Sequence, residues 1–359
     1  MEHREPDRVP VNCFFVPEVS DRLKGLYSKE LCEFRNTEPR AAGYPEYELH
    51  MFLGHDMLFV QYGISEFFTH ESDDEVFSDE WGIKYKKVYY KTPHGTGKYN
   101  EIIEYPLADD DAIKDYRPPD PSSADLDRAR KVVEDFGKDY YLVGCVACSV
   151  FEGLKYLRGI DQSLIDLVKN PDIASDIMDI TVDYHLKVGK ELIRMGFDMI
   201  DLADDLGGEK ALLLSPQTFR SLIKPKMEYM IGEFKRLDKD IKINFHTCGY
   251  IEPVIEDLIE VGVDLLHPVQ PETMDPAKIK KRFGDRICLN GTVSTQKTLP
   301  FGTAADVRAE VRERIITCGP GGGFVIGPAQ AVQLDVPLEN ITAFYDAISE
   351  FGRYPVICY

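Results

Sequence analysis

No apolar run in these 359 residues approaches the ~20 that a membrane span needs. Positive charge is scarce. Lys and Arg number 42 against 62 Asp and Glu, which leaves a formal net charge of −20. Nucleic-acid backbones and anionic membrane surfaces are bound through basic patches, so neither is expected as a partner. A disulfide framework is also missing. The eight cysteines, at 13, 32, 145, 148, 248, 288, 318 and 358, are scattered and mostly embedded in apolar runs. Cys145-Val-Ala-Cys148 has C-x-x-C spacing, but it falls on an expected strand and no second pair matches it. That speaks against a redox or zinc-ribbon role. The opening Met1-Glu-His-Arg-Glu-Pro-Asp-Arg8 is too charged for a signal peptide, so a cytoplasmic protein is expected. No G-x-G-x-x-G follows any expected strand, and the usual dinucleotide site is therefore absent.

What is present is a hydrophobic fraction of 43%, enough for a large core, and a repeated order of elements. Residues 9–15 form a short apolar strand, 20–35 and 44–54 carry helical spacing, and 57–62 reads as another strand. Residues 81–90 and 99–105 alternate with period 2 about the turn-rich Pro93-His-Gly-Thr-Gly97, which predicts a β-hairpin excursion at 73–105. An exposed, proline-rich connector follows at 109–123. From there helices at 124–136, 162–169, 172–195, 216–237, 251–261, 276–283, 303–316 and 338–351 alternate with strands at 140–146, 199–203, 241–245, 264–267, 286–289 and 323–326. Strand–helix alternation implies parallel pairing through right-handed crossovers. Seven strands are counted, and 57–62 or 354–358 supplies an eighth. The expected fold is α/β, a single (β/α)8 TIM-type barrel over residues 1–359. An open doubly wound sheet is the alternative.

In such barrels chemistry collects at the C-terminal ends of strands. Those ends carry Cys148-Ser-Val-Phe-Glu152, Asp201-Leu-Ala-Asp204-Asp205, His246-Thr-Cys248, His267-Pro-Val-Gln270, Asn290-Gly291 and Pro328-Ala-Gln330. Six polar strand ends from distant parts of the chain predict one polar pocket. His246 and Cys248, two residues apart at a strand end, point to the same face. An imidazole nitrogen and a thiolate can then reach one point, which suits zinc. Each residue also has a plainer use. Asp204 and Asp205 suit turns and caps, Glu152 suits a helix start, and Gln270, Gln330 and Asn290 suit loop ties. Gly319-Pro-Gly-Gly-Gly323 looks like a phosphate cradle, but it precedes its strand and reads as a tight turn on the stability face.

The chain resembles the uroporphyrinogen decarboxylase superfamily, above all its corrinoid-dependent methyltransferase branch. The residues that carry the resemblance are Glu5-Pro-Asp-Arg-Val-Pro10, Phe151-Glu152 with Leu157-Arg-Gly159, Asp204-Asp-Leu-Gly207, Ser215-Pro216 leading to Lys224-Pro225, His246-Thr-Cys-Gly249, Pro268-Val-Gln270, Asn290-Gly291, Leu299-Pro300, Pro320-Gly-Gly-Gly-Phe324 and Asp335-Val-Pro-Leu-Glu-Asn340. They span nearly the whole length in family order. The resemblance implies a distorted TIM barrel, often a homodimer. The arginine pair by which the decarboxylases hold substrate carboxylates has no counterpart here. The H-x-C step of the methyltransferases does, as His246 and Cys248. Their further ligands, a Glu and a second Cys, are replaced by Gln270 and Gln330.

The expected activity is transfer of a methyl group from a small methylated substrate, such as a methoxylated aromatic, to a corrinoid carried by a partner protein. Zinc on His246 and Cys248 would assist, with Glu152, Asp204 or Asp205 as acid or further ligand. Gln270, Asn290 and Gln330 would line the substrate. Two alternatives are a cofactor-free decarboxylase of a smaller acid, and a non-catalytic subunit that binds a tetrapyrrole or a corrinoid protein.

Overall fold

Short apolar runs bounded by turn residues become buried parallel strands when helices cover them. The computed structural model describes residues 1–62 and 74–356. The first residue of the expected 73–105 excursion, the end of the 354–358 segment and Cys358 lie outside them. Nine strands occur among the described residues: β1 (Met57–Gln61), β2 (Val76–Ser78), β3 (Lys84–Thr92), β4 (Gly95–Glu104), β5 (Tyr141–Cys145), β6 (Met199–Ala203), β7 (Lys242–His246), β8 (Leu265–His267) and β9 (Cys288–Leu289). The chain divides into two compact units. One holds Met1–Leu58, Tyr90–Gly97 and Leu265–Tyr359, and the other Phe59–Tyr89 and Lys98–Asp264.

In the second unit β5, β6 and β7 are parallel. Cys145 stands opposite Asp201, Asp201 opposite Asn244, and Ala203 opposite His246. Tyr62, just past β1, donates its amide to the Cys145 carbonyl. The crossovers are helical: Phe151–Arg158, Ile160–Lys169 and Pro171–Met195 lie between β5 and β6, and Lys224–Leu237 between β6 and β7. Leu142, Val143, Met199, Ile200, Leu202, Ile243 and Phe245 are buried, so both faces of these strands are covered.

The first unit repeats the pattern. β8 and β9 are parallel, and single parallel bridges continue from them: Leu289 to Phe324, Val293 to Pro328, Val11 to Ile326 and Phe15 to Val332. The order of elements is that of the (β/α)8 TIM-type class, as expected. Residues 9–15 and 323–326 make bridges rather than full strands. Pro10 has no N–H to give a ladder, and in the other segment Gly323 takes φ +61° while Gly327 and Pro328 follow at once. The expected 20–35 helix is two helices, Pro17–Leu26 and Ser28–Thr37, whereas 338–351 matches Leu338–Phe351, between Pro337 and Gly352.

β2, β3 and β4 form a separate three-stranded sheet, with β2 antiparallel to β3. β3 begins three residues later than the alternation at 81–90 suggests. There Asp79 Oδ1 accepts the Trp81 and Ile83 amides, and Gly82 takes φ +78°, so 79–83 is a turn. No helix among the described residues is long and apolar enough to cross a membrane.

His185, on Pro171–Met195, is fully buried. Its Nδ1 lies 2.7 Å from the Thr181 carbonyl, and its ring stacks at 5.8 Å on Trp81. Burial pushes its pKa down to about 4. The unfolded chain therefore takes up this proton first, and the stability present above pH 6.5 is lost as pH falls toward 4. At pH 5 the loss is about 2 kcal/mol. The urea midpoint is expected to drop between pH 7 and pH 5, and to drop less in a His185→Phe variant.

Candidate metal centre

Because β5, β6 and β7 are parallel and in register, their C-terminal ends deliver side chains to one place within the second unit. The backbone continues the ladder past the strands. Cys148 donates its amide to the Ala203 carbonyl at 2.9 Å, Asp204 to His246 at 3.0 Å, and Gly207 to Cys248 at 3.1 Å. The loops after β6 and β7 touch closely. A Cβ on Gly249 (φ +87°) would stand 2.4 Å from the Gly207 carbonyl, so glycine alone fits there. This contact fixes the 204–207 loop against 247–249.

His246 is the last residue of β7 and Cys248 follows two residues on. The sulfur lies 3.5 Å from His246 Nε2, on the shared face that a two-residue spacing leads one to expect. Asp205 completes the group. Its Oδ1 accepts the Cys248 amide at 2.8 Å and lies 3.7 Å from His246 Nε2. One ligand atom from each of Asp205, His246 and Cys248 falls within 4.8 Å of the others. Burial opposes a charged His246. The Cys248 sulfur, Asp205 and Asp201 outweigh it and raise its pKa to about 10. Asp201 is itself held by a hydrogen bond from Asn244, its neighbour across the β6–β7 ladder. One nitrogen, one sulfur and one carboxylate oxygen are a donor set that fits zinc, with a coordination position left for another group. A metal bound here would have to displace the His246 proton, which would make its affinity rise with pH.

The other acids are placed differently. Asp204 is fully buried, and its Oδ1 accepts the amides of Val150 (3.1 Å) and Glu152 (2.7 Å). It thus serves the orphan N–H groups at the start of helix Phe151–Arg158. Burial raises its pKa to about 8, and its Oδ2 has no hydrogen-bond partner among the described residues. Glu152, in the first turn of that helix, is 8% exposed. Lys155 Nζ donates to its Oε1 at 2.9 Å, and the Cys148 thiol donates to its Oε2 at 3.5 Å. Burial raises the Glu152 pKa, with Lys155 pulling it back and Asp205 adding to the rise. Cys148 holds φ +57°, a strained setting for a non-glycine residue, and its buried thiol titrates well above the usual range. Lys155 is the residue that sequence reasoning missed. Its signal was the i,i+3 spacing from Glu152, a residue that suits a helix start.

Gln270, Asn290 and Gln330 belong to the first unit. The Gln270 carbonyl accepts the Thr273 and Met274 amides, and Gln330 Oε1 accepts the Ala331 amide at 2.9 Å. Asn290 is buried, and its Oδ1 accepts the Gly291 amide at 2.7 Å. All three tie down local turns.

The sequence matches the family model for uroporphyrinogen decarboxylase (URO-D) over residues 88–351. It is 27% identical to a methylcobamide:CoM methyltransferase of Methanosarcina barkeri over 184 residues, which cover 51% of this chain and 51% of that protein. It is 25% identical to a uroporphyrinogen decarboxylase of Legionella pneumophila over 259 residues, 69% of this chain and 70% of that one. The chain spans about half the length of the curated methyltransferases it matches. The solved structure of a methyltransferase from Methanosarcina mazei shares the fold, with a TM-score of 0.64 at 20% identity over 98% of this chain and 96% of that one.

Proposed function

Because the chain belongs to the uroporphyrinogen decarboxylase family, we propose that it is an enzyme that moves a methyl group between a small methylated substrate and a corrinoid carried by a separate protein. The observation that carries this reading is the convergence of Asp205, His246 and Cys248. These three would hold zinc. Bound there, zinc supplies Lewis-acid polarisation of the heteroatom that carries or receives the methyl group. His246 and Asp205 orient each other, and the Cys248 amide fixes the Asp205 carboxylate.

Glu152 supplies the proton chemistry in this reading. An alkoxide or phenoxide is a poor leaving group and needs a proton as the bond to methyl breaks. Glu152 takes up a proton more readily than an ordinary carboxyl because it is buried, and Lys155 and Cys148 fix both of its oxygens. Asp204 keeps a supporting role at the start of that helix. A methoxylated aromatic is the substrate class we favour, since its phenolic oxygen becomes a tolerable leaving group once protonated.

The 259-residue match to a uroporphyrinogen decarboxylase favours a second reading, a decarboxylase of a smaller acid. One experiment separates the two. The zinc-loaded chain is incubated with reduced cobalamin and a panel of methoxylated aromatics, and the cobalamin spectrum is followed. Methylcobalamin formation that requires the protein is the expected result. Carbon dioxide release from a carboxylic acid in the absence of any corrinoid would establish the decarboxylase instead.

A further inference from the structure

The chain is acidic overall, yet in the first unit Lys278, Lys280, Lys281, Arg282 and Arg286 fall within a short stretch. Helix Pro276–Phe283 ends among them. Cations favour a helix C-terminus, but a surface that only neutralises the dipole does not need a concavity. Here a cavity of about 560 Å³ opens beside the helix end, lined by His3, Lys280, Lys281, Arg282, Asp285 and Gly321.

Gly321, in its lining, opens a glycine turn. Gly321, Gly322 and Gly323 take φ of +79°, +72° and +61°. Lys280 Nζ donates to the Gly322 and Gly323 carbonyls and so fixes the turn. The N-terminal segment lies directly on it. A Cβ on Gly322 would meet the Arg4 carbonyl at 2.2 Å, and one on Gly323 would meet His3 Nδ1 at 2.5 Å. His3 Nδ1 is also 3.1 Å from the Gly284 carbonyl. The Arg282 guanidinium lies over the Phe283 ring at 4.7 Å. The turn already receives an anion: the Gly321 amide donates to Glu5 Oε1 at 2.9 Å.

We propose that Lys281, Arg282 and the Gly321 amide bind the phosphate group of a small phosphomonoester, with His3 forming part of the wall and the Glu5 carboxylate as an internal competitor for that amide. A phosphate presents several acceptor oxygens to a guanidinium fork, an ammonium and a backbone N–H together. The cavity lies in the size range of small-molecule sites and exceeds what a bare phosphate fills.

The test is calorimetric titration of the full chain with inorganic phosphate and with AMP at constant ionic strength. AMP is expected to bind more tightly than phosphate. A Lys281→Ala/Arg282→Ala variant, both positions being exposed, is expected to weaken both by about tenfold or more at an unchanged melting temperature. Glu5→Gln is expected to tighten binding several-fold. Glu2→Gln removes the same charge from a residue that pairs with Arg4 instead, and is expected to change nothing. No binding at millimolar ligand, equal binding by the double variant, or equal effects of Glu5→Gln and Glu2→Gln would each overturn the site. Equal affinity for phosphate and AMP would overturn the ester.

Discussion

Replacing His246 by Ala is expected to abolish stoichiometric zinc and to lower methyl transfer by about a thousandfold, the several kcal/mol that a Lewis acid contributes at a reacting heteroatom. The size of the effect follows from the geometry. His246 Nε2 is the atom that both Cys248 Sγ and Asp205 Oδ1 face, at 3.5 and 3.7 Å. Without it the sulfur and the carboxylate have no common partner, and two ligands on adjacent loops hold a metal far less well than three. His246 lies at the C-terminal end of β7, and its raised pKa means that the metal-free protein also draws stability from its charge beside Asp205 and Asp201, so the melting temperature of the metal-free variant should fall while its secondary structure is kept. Metal analysis after dialysis against a weak chelator reads the first outcome, and corrinoid methylation at saturating substrate reads the second. Full zinc occupancy with undiminished transfer would remove the metal from the proposed chemistry.

Replacing Arg158 by Ala is expected to be the most damaging single change to stability, about 3–5 kcal/mol, because it leaves a buried carboxylate without its partner. Arg158 is 2% exposed and Asp166 is fully buried. The guanidinium donates from Nε to Asp166 Oδ2 at 2.8 Å and from Nη1 to the Leu107 carbonyl at 2.7 Å. Nη2 reaches Asp110. Asp166 receives Gln162 and Asn170 as well, each at 2.8 Å. Burial opposes its charge, yet these donors hold its pKa below the ordinary carboxylate range. One cation thus ties the end of the helix that carries Glu152 to residues 107–110 and to the next helix. Lysine offers one ammonium where the fork makes separate bonds, so Arg158→Lys is expected to recover only part of the loss. Urea denaturation of the three proteins measures both steps.

The centre was partly legible because strand periodicity is a strict rule. Two residues apart at a strand end means one face, and the 3.5 Å approach of His246 and Cys248 then depends on the loop bonds that hold Cys248, just past β7, to Asp205 and Gly207. Asp205 was visible as an acid at a strand end, but its placement beside His246 and Cys248 depends on the loop contact between Gly207 and Gly249, which no local pattern encodes. Asp204 and Asp205 are adjacent and chemically alike, and only the fold separates them: one turns inward to the amides of Val150 and Glu152, the other outward to His246. Cys148 is legible as part of a polar strand end, but its role as a donor to Glu152 is set by the turn into the following helix and not by the C-x-x-C spacing. Helix Leu338–Phe351 was read correctly because Pro337 and Gly352 bracket it, while residues 9–15 were read as a strand from their apolar character, although Pro10 limits the ladder they can make.

If Asp205, His246 and Cys248 hold one zinc ion, X-ray absorption at the zinc edge of the metal-loaded chain will show one sulfur at about 2.3 Å and nitrogen or oxygen neighbours at about 2.0–2.2 Å, with the sulfur shell gone in Cys248→Ser. A spectrum with no sulfur neighbour, or one that Cys248→Ser leaves unchanged, would rule out this ligand set.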